Sequence, residues 1–254
     1  MRACCWHDKG LTEIGGPLMR RILLPLLSLL LVAATPSQDA RRLLDQGRDA
    51  EAFRIVEEAS SRDLDALDSL AWFYDSGRFV PQDRARAASI YRRAAAAGQP
   101  HAQWRLGVML DMGEGVAENP AEAIDWIRRA AGQDYAEGHA SLAVMYANGR
   151  GATVDYSQSM RHYRRAAELG ASAGFYGIGV LHVFGQGVAR DPLEGAAWFI
   201  VATILGDERS APAMQRLNLA SDQLRRAAAR ADAILREFGR QERVRFQDTP
   251  PPVS

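Results

Sequence analysis

The chain has 254 residues, of which 47% are hydrophobic, and its 31 basic and 31 acidic residues give no net charge. This balance excludes the strong positive field that nucleic-acid-binding proteins use. Lysine occurs once, as Lys9, so a lysine base, a Schiff-base lysine or a phosphate-loop lysine is excluded over the rest of the chain.

Residues 19–34 have the pattern of a secretory signal peptide. Arg20 and Arg21 follow Met19, an apolar run leads to Val32, and two alanines supply a cleavage site. The run is shorter than the roughly 20 residues of a membrane span. We therefore expect export to the periplasm or the medium, translation from Met19 and a non-native or disordered leader over residues 1–18. An uncleaved anchor or a docked helix remains the alternative.

Residues 66–206 carry an internal repeat with a period of 36 residues. One glycine marks each unit, and three units have a second glycine two places later; the first has Phe79 there. The first set is Gly77, Gly113, Gly149 and Gly185. Each glycine is predicted to end a first helix, because glycine readily adopts the left-handed conformation of a helix C-cap. A fixed period of this length predicts a solenoid of antiparallel helix pairs.

The second helix of each unit has its own start signal. Asp83, Asn119, Asp155 and Asp191 stand 36 residues apart and are good N-caps. Glu122, Gln158 and Glu194 follow three places later and predict capping boxes. Small residues at fixed positions, Ala71, Gly107, Ala143 and Gly179, predict close approach of the paired helices.

These landmarks resemble the Sel1-like repeat, a 36-residue relative of the tetratricopeptide repeat, and they are nearly complete in residues 102–131. The resemblance implies an all-α, right-handed solenoid that binds proteins; exported bacterial members regulate envelope signalling or assembly. A cysteine-rich branch carries a disulfide in each repeat and has been linked to penicillin-like compounds. This chain departs from that branch, because Cys4 and Cys5 are its only cysteines.

Both ends of the array carry capping segments. Residues 35–65 predict two short helices broken near Gly47, and residues 207–239 predict further helices. The second segment includes a possible fifth pair that begins at Pro212 and an amphipathic helix capped by Ser221. Residues 240–254 are polar and proline-rich and predict a disordered tail.

The residues that could bind a phosphate, a metal ion or a charged partner can each be explained by a structural role. The Gly-x-Gly pairs follow helices rather than strands, which argues against phosphate binding. His162 and His182 occupy positions that are aromatic or apolar in other repeats, and His139 and His101 form no predicted ligand pair. The four arginines of the last helix, including Arg230, form a basic contact surface or, the favoured interpretation, a solvated face. No cofactor, metal or catalytic residue is therefore expected.

The first helices are predicted to line a concave groove that binds a protein or peptide partner. The groove is acidic near the N-terminus and apolar or aromatic farther along, which suits a segment with a basic part and apolar anchors. Packing between repeats is the competing role for its aromatic residues. The predicted groove residues are Asp68, Trp72, Asp75, His101, Trp104, Val108, Asp111, Asn148, Tyr176, Val180 and Phe184, with Asp65, Met112, Glu137, Val144 and Val183 beside them.

The functional hypothesis is a non-catalytic exported scaffold, with no nucleic-acid partner and membrane contact only through the signal segment. Its setting, envelope signalling or polysaccharide regulation, follows from the resemblance alone. The alternative is a cell-wall-active enzyme or a binder of penicillin-like ligands, which would need a nucleophile and a base converging in a closed pocket.

Overall fold

A computed structural model describes residues 34–240 of the protein. The predicted signal segment, the leader before it and the tail after Arg240 lie outside the described residues. Within residues 34–240 no strand occurs, and none of the helices combines the length and apolar character that crossing a bilayer requires.

Twelve helices make up the described part, and ten of them form five consecutive pairs. The pairs are α1 (Pro36–Asp45) with α2 (Asp49–Ala59), α3 (Leu64–Ser76) with α4 (Arg84–Ala96), α5 (Pro100–Met112) with α6 (Pro120–Ala131), α7 (Ala136–Asn148) with α8 (Tyr156–Glu168), and α9 (Ser172–Phe184) with α10 (Pro192–Ile204). Helices α11 (Ser210–Gln215) and α12 (Ser221–Glu237) follow. Helices α1 to α11 pack mainly on their neighbours in the chain, and α12 packs on α10, so the predicted α-solenoid is confirmed.

The predicted helix ends are confirmed at every repeat. Gly77, Gly113, Gly149 and Gly185 are left-handed C-caps with φ between 69° and 72°. The side chains of Asp83, Asn119, Asp155 and Asp191 each accept a hydrogen bond from the backbone N–H three residues later. Phe79 takes the left-handed conformation of the missing glycine, with φ 69°.

The predicted capping boxes are wrong. In all three units the backbone N–H of the N-cap residue donates instead to a carbonyl of the preceding helix. The two glutamates accept from an indole one helical turn farther on. Glu122 Oε1 accepts a hydrogen bond from Trp126 Nε1 at 3.1 Å, and Glu194 Oε1 accepts one from Trp198 Nε1 at 2.9 Å. An indole N–H shielded from water needs an acceptor, and a carboxylate four residues earlier lies on the same helix face.

Small residues bring the two helices of a pair together, as predicted. A Cβ atom at Gly107 would lie 2.4 Å from Ile127 Cγ1, and one at Gly179 would lie 2.7 Å from the Phe199 ring. The buried core falls into two clusters of apolar side chains, which meet within the third repeat.

The C-terminal cap differs from its prediction. Helix α11 has only six residues and does not form a full helix pair. Ser221 is the first residue of α12, and the N-cap is Ala220, whose N–H donates to Gln223 Oε1 at 2.9 Å. The amphipathic face is confirmed, since Ala227, Ala231 and Ile234 are fully buried.

Replacing Gly115 with alanine is expected to lower the free energy of unfolding by about 2–4 kcal/mol. Gly115 has φ +70°, and its added Cβ would lie 2.3 Å from the Arg84 carbonyl carbon in the preceding repeat. Gly47 is a matched control, because it has φ +72° but no atom within 4 Å of its added Cβ. Gly47→Ala should cost about 1 kcal/mol, and urea unfolding of both variants measures the difference. Equal costs would contradict the close contact between repeats.

Candidate functional site

The first helices of neighbouring pairs lie side by side and form one wall of the array. Helix α1 contacts α3, and α7 contacts α9. Side-chain bonds also join neighbouring first helices. They link Ser69 of α3 with Ser37 of α1, His101 of α5 with Asp68 of α3, and Trp104 of α5 with Ser141 of α7. The wall therefore runs across the array and is held by polar contacts between repeats as well as by the core.

An open groove of about 810 Å³ occupies the N-terminal end of this wall. It brings together four of the predicted residues, Asp65, Asp68, Trp72 and His101, with Tyr135 at its far side. Sequence reasoning missed the contribution of α1 and of the loop before α7. The residues from these two elements are Thr35, Ser37, Gln38, Ala40, Arg41, Leu44, Asp45 and Tyr135.

Two of the groove carboxylates, Asp68 and Asp65, are held by groups at the start of α5. His101 Nδ1 donates to both oxygens of Asp68, at 2.8 and 2.9 Å, and the Gln99 amide donates to Asp65. The His101 ring also lies 5.7 Å from Trp104 and 6.2 Å from Tyr135, between ring centroids. These contacts fix the positions of the acidic and aromatic groups relative to one another.

Asp75 and Asp111 do not line an open wall as predicted, because both are buried in ion pairs. Arg105 binds Asp75 through two bonds of 2.6 and 2.9 Å, and Arg150 Nε donates to Asp111 at 2.8 Å. Each arginine belongs to the repeat after its aspartate. The positions of the two aspartates on their helices predicted that they face the open wall. Both carboxylates are buried instead, and a buried carboxylate requires a charged or hydrogen-bonding partner. Asp75 and Asp111 therefore join consecutive repeats.

The C-terminal part of the wall is apolar. The position of Trp72 is filled by Val108, Val144 and Val180 in the later repeats, and Val144 is 44% exposed. Other exposed members lie at the ends of the first helices: Met112, Asn148 and Phe184, the last 68% exposed.

Two further wall predictions have different outcomes. Tyr176 is half-buried. Its ring stacks on the Phe199 ring, with 5.4 Å between the ring centroids, and the Arg209 guanidinium lies 4.4 Å from the centroid of the Tyr176 ring. The prediction for Val183 was wrong, since Val183 is buried against α10, 2.5 Å from where a Cβ of Gly195 would lie.

Trp72 and Trp104 take part in packing, one of the two roles left open by the sequence, and their role in partner binding stays a prediction. Each is half-buried: Trp72 packs edge-on against Phe73 at 5.2 Å, and Trp104 Nε1 donates to Ser141 Oγ at 2.9 Å. Part of each indole stays accessible on the wall.

His139 and His162 form a pair that the sequence did not predict. Their Nδ1 atoms are 2.9 Å apart, so one nitrogen donates a hydrogen bond to the other. The Tyr146 ring is stacked on His162 at 5.7 Å, and Asp134 lies 3.8 Å from His139 Nε2, too far for a hydrogen bond. The prediction that His162 replaces a packing aromatic holds for its place in the fold, but it missed the bond to His139.

Burial lowers the pKa of both members of this histidine pair. The pKa of His162 falls to about 4, with His139, Arg161 and Arg128 adding to the effect of burial. The pKa of His139 is lowered by burial and by Arg165, against the opposing effect of Asp134. Among residues 34–240 no group of three or more His, Cys, Asp or Glu side chains is placed to hold a metal ion.

The Sel1 repeat model matches four consecutive segments of the chain, residues 64–99, 100–135, 136–170 and 175–207, more than half of its length. The chain belongs to the Sel1 repeat family. The matched segments contain the first helices α3, α5 and α7 and most of α9, which carry most of the wall. Proteins of this family typically bind protein partners, and their fold is typically a non-catalytic scaffold.

Three solved structures resemble this Sel1 repeat protein. A Sel1 repeat protein from Oxalobacter formigenes is 27% identical, with a TM-score of 0.66, 78% of this chain covered and 86% of that one. The protective antigen c5321 of uropathogenic Escherichia coli is 30% identical, with a TM-score of 0.58, and the match spans 75% of this chain but 44% of the antigen. A putative Sel1 repeat protein from Klebsiella pneumoniae, 20% identical with a TM-score of 0.50, shares the fold over 71% of this chain and 90% of its own. A comparison with curated proteins gave no match.

Acidification is expected to destabilise the third repeat through the histidine pair. Because the folded-state pKa of both residues lies below the ordinary value, the unfolded chain binds more protons as the pH falls below about 6.5, and stability is lost there. We expect about 1–2 kcal/mol of this loss between pH 7 and 5, reduced from the full linkage value because His162 is partly exposed to solvent.

The double variant His139→Phe with His162→Trp measures this contribution. It installs the pair found 36 residues later, Phe175 and Trp198, whose rings are 6.0 Å apart. Urea unfolding at pH 7 and pH 5 should show a smaller stability loss for the double variant than for the unmodified chain. Equal losses would contradict a role for the pair.

Proposed function

We propose that this protein is an exported, non-catalytic scaffold that binds a segment of a partner protein along the wall of first helices. The observation that carries this proposal is the open wall itself, which crosses consecutive repeats and exposes side chains that the core does not use. Val144 and Phe184 are exposed apolar residues on this wall. Apolar side chains exposed in a continuous row are a feature of surfaces that bind other proteins.

The groove favours binding of an extended or helical segment over catalysis on a small substrate. It is open, and its charged groups are held by neighbouring repeats: Asp68 by His101, and Asp65 by Gln99. The penicillin-binding alternative gains no support from the sequence, because its only cysteines, Cys4 and Cys5, are adjacent and precede the repeats. Export rests on residues 19–34, and an envelope role rests on analogy with exported family members.

Crosslinking from the wall tests partner binding. A photoreactive amino acid at Val144 is expected to capture one defined protein in cells that express the full chain, and Val180→Glu should abolish that crosslink by placing a charge on an apolar part of the wall. Val154, which is 53% exposed in the loop between α7 and α8, is the matched control position. Capture of the same protein from Val144 and Val154, or capture insensitive to Val180→Glu, would contradict binding along the wall.

Export has its own test. The full chain should yield a shortened periplasmic or secreted form, because a small-residue site such as that at Ala33 directs signal peptidase cleavage. Intact mass of fractionated protein measures this, and Leu27→Glu with Leu30→Glu should block it by interrupting the apolar run. A full-length cytoplasmic protein would contradict export while leaving the crosslinking result unaffected.

A further inference from the structure

The N-terminal groove differs from the rest of the wall in its charge. The positions of Asp65 and Asp68 are His101 and Trp104 in the second repeat, Glu137 and Ala140 in the third, and Ala173 and Tyr176 in the fourth. Only the first repeat therefore places two carboxylates one helical turn apart on the wall. Both face the 810 Å³ groove.

The cations around this groove do not cancel its carboxylates. Asp45 also lines the groove, together with Arg41 and Arg78. Arg78 is already paired with Asp49, through bonds of 2.7 and 2.9 Å, and donates to the Leu44 carbonyl at 3.0 Å. Three carboxylates thus face Arg41 and the His101 ring, so the groove is negative as long as His101 is neutral and retains a net negative charge when it is protonated.

Aromatic rings stand beside the carboxylates. Trp72 lies one turn after Asp68 on α3, and Tyr135 lies across the groove, with its ring 5.9 Å from Trp104 and 6.2 Å from His101. A carboxylate next to an aromatic face suits a planar guanidinium, which can pair with the first and stack on the second. Asp68 is already oriented by His101, so little ordering of the groove is required on binding.

We infer that this groove receives an arginine side chain of the partner segment, an inference that rests on the proposed function. The segment then runs toward the C-terminal repeats, where its apolar residues meet Val108, Val144 and Val180. Neighbouring helix axes are about 8–10 Å apart, so Asp68 on α3 and Val144 on α7 are separated by roughly 20 Å. An extended chain covers this distance in about six residues.

The test uses a fluorescent, acetylated peptide of about seven residues, with arginine at one end, leucine at the other and a Gly-Ser spacer, in both chain directions. Matched peptides replace arginine with lysine, with neutral citrulline of the same shape, or with leucine. Fluorescence anisotropy with the full chain should show the arginine peptide binding about 5- to 20-fold more tightly than the citrulline peptide, because charge-assisted bonds are lost. Lysine should be intermediate, because it pairs but does not present a planar group.

Asp68→Asn should remove this preference, so that the arginine and citrulline peptides bind the variant alike. Asp125→Asn is the matched control, because Asp125 is an exposed carboxylate on the second helix α6 and should leave the preference unchanged. The citrulline comparison uses the unmodified protein, so it remains valid if Asp68→Asn folds poorly.

Equal binding of the arginine and citrulline peptides, or no measurable binding of the arginine peptide, would overturn the arginine site. Binding that is lost in Val144→Glu but shows no arginine preference would overturn it too, while supporting binding along the wall. Failure of the Val144 crosslink would instead overturn the proposed function.

Discussion

Each helix pair leaves one side apolar, and only the next pair in the chain buries it. This dependence on the neighbour explains why the contacts that fix the fold join consecutive repeats. A Cβ at Gly115 or Gly151 would lie 2.3 or 2.2 Å from backbone atoms of the preceding repeat, at Arg84 and Pro120. The ion pairs of the buried residues Asp75 and Asp111 make the same connection through charge. The folding free energy of such an array is a sum of contributions from single repeats and from the interfaces between them. A weak interface therefore lowers stability mainly in the repeats that it joins.

The third repeat is where these interfaces change character. The two apolar clusters of the core meet there, and His139 and His162 occupy positions that hold Phe175 and Trp198 in the fourth repeat. Two imidazoles share one hydrogen bond in place of an aromatic contact, and His139 Nε2 and Ser159 Oγ are buried without hydrogen-bond partners. A polar contact of this kind gives up apolar burial and makes the local stability depend on protonation.

The wall follows from the same stacking, since aligned first helices expose corresponding positions in a row. The row through Trp72, Val108, Val144 and Val180 is apolar in every repeat, whereas the row through Asp65 and Asp68 carries two carboxylates only in the first. One surface therefore has an acidic and aromatic end and an apolar end. A partner segment bound as proposed above would be distinguished from its reverse, because reversal would place a cation over apolar side chains.

The sequence by itself determined the period, the helix pairs, the glycine C-caps and the aspartate or asparagine N-caps, because these depend on local backbone conformation and on residues a few places apart. It also placed Asp68, Trp72 and His101 on the wall. Only the tertiary structure decided which polar wall residues were buried in ion pairs, that α1 and Tyr135 complete the groove, and that His139 meets His162. The ion pairs and the histidine contact depend on distances between side chains 23 to 39 residues apart, and the groove joins elements that are still farther apart in the chain. Stacking sets these distances, and local patterns do not encode them.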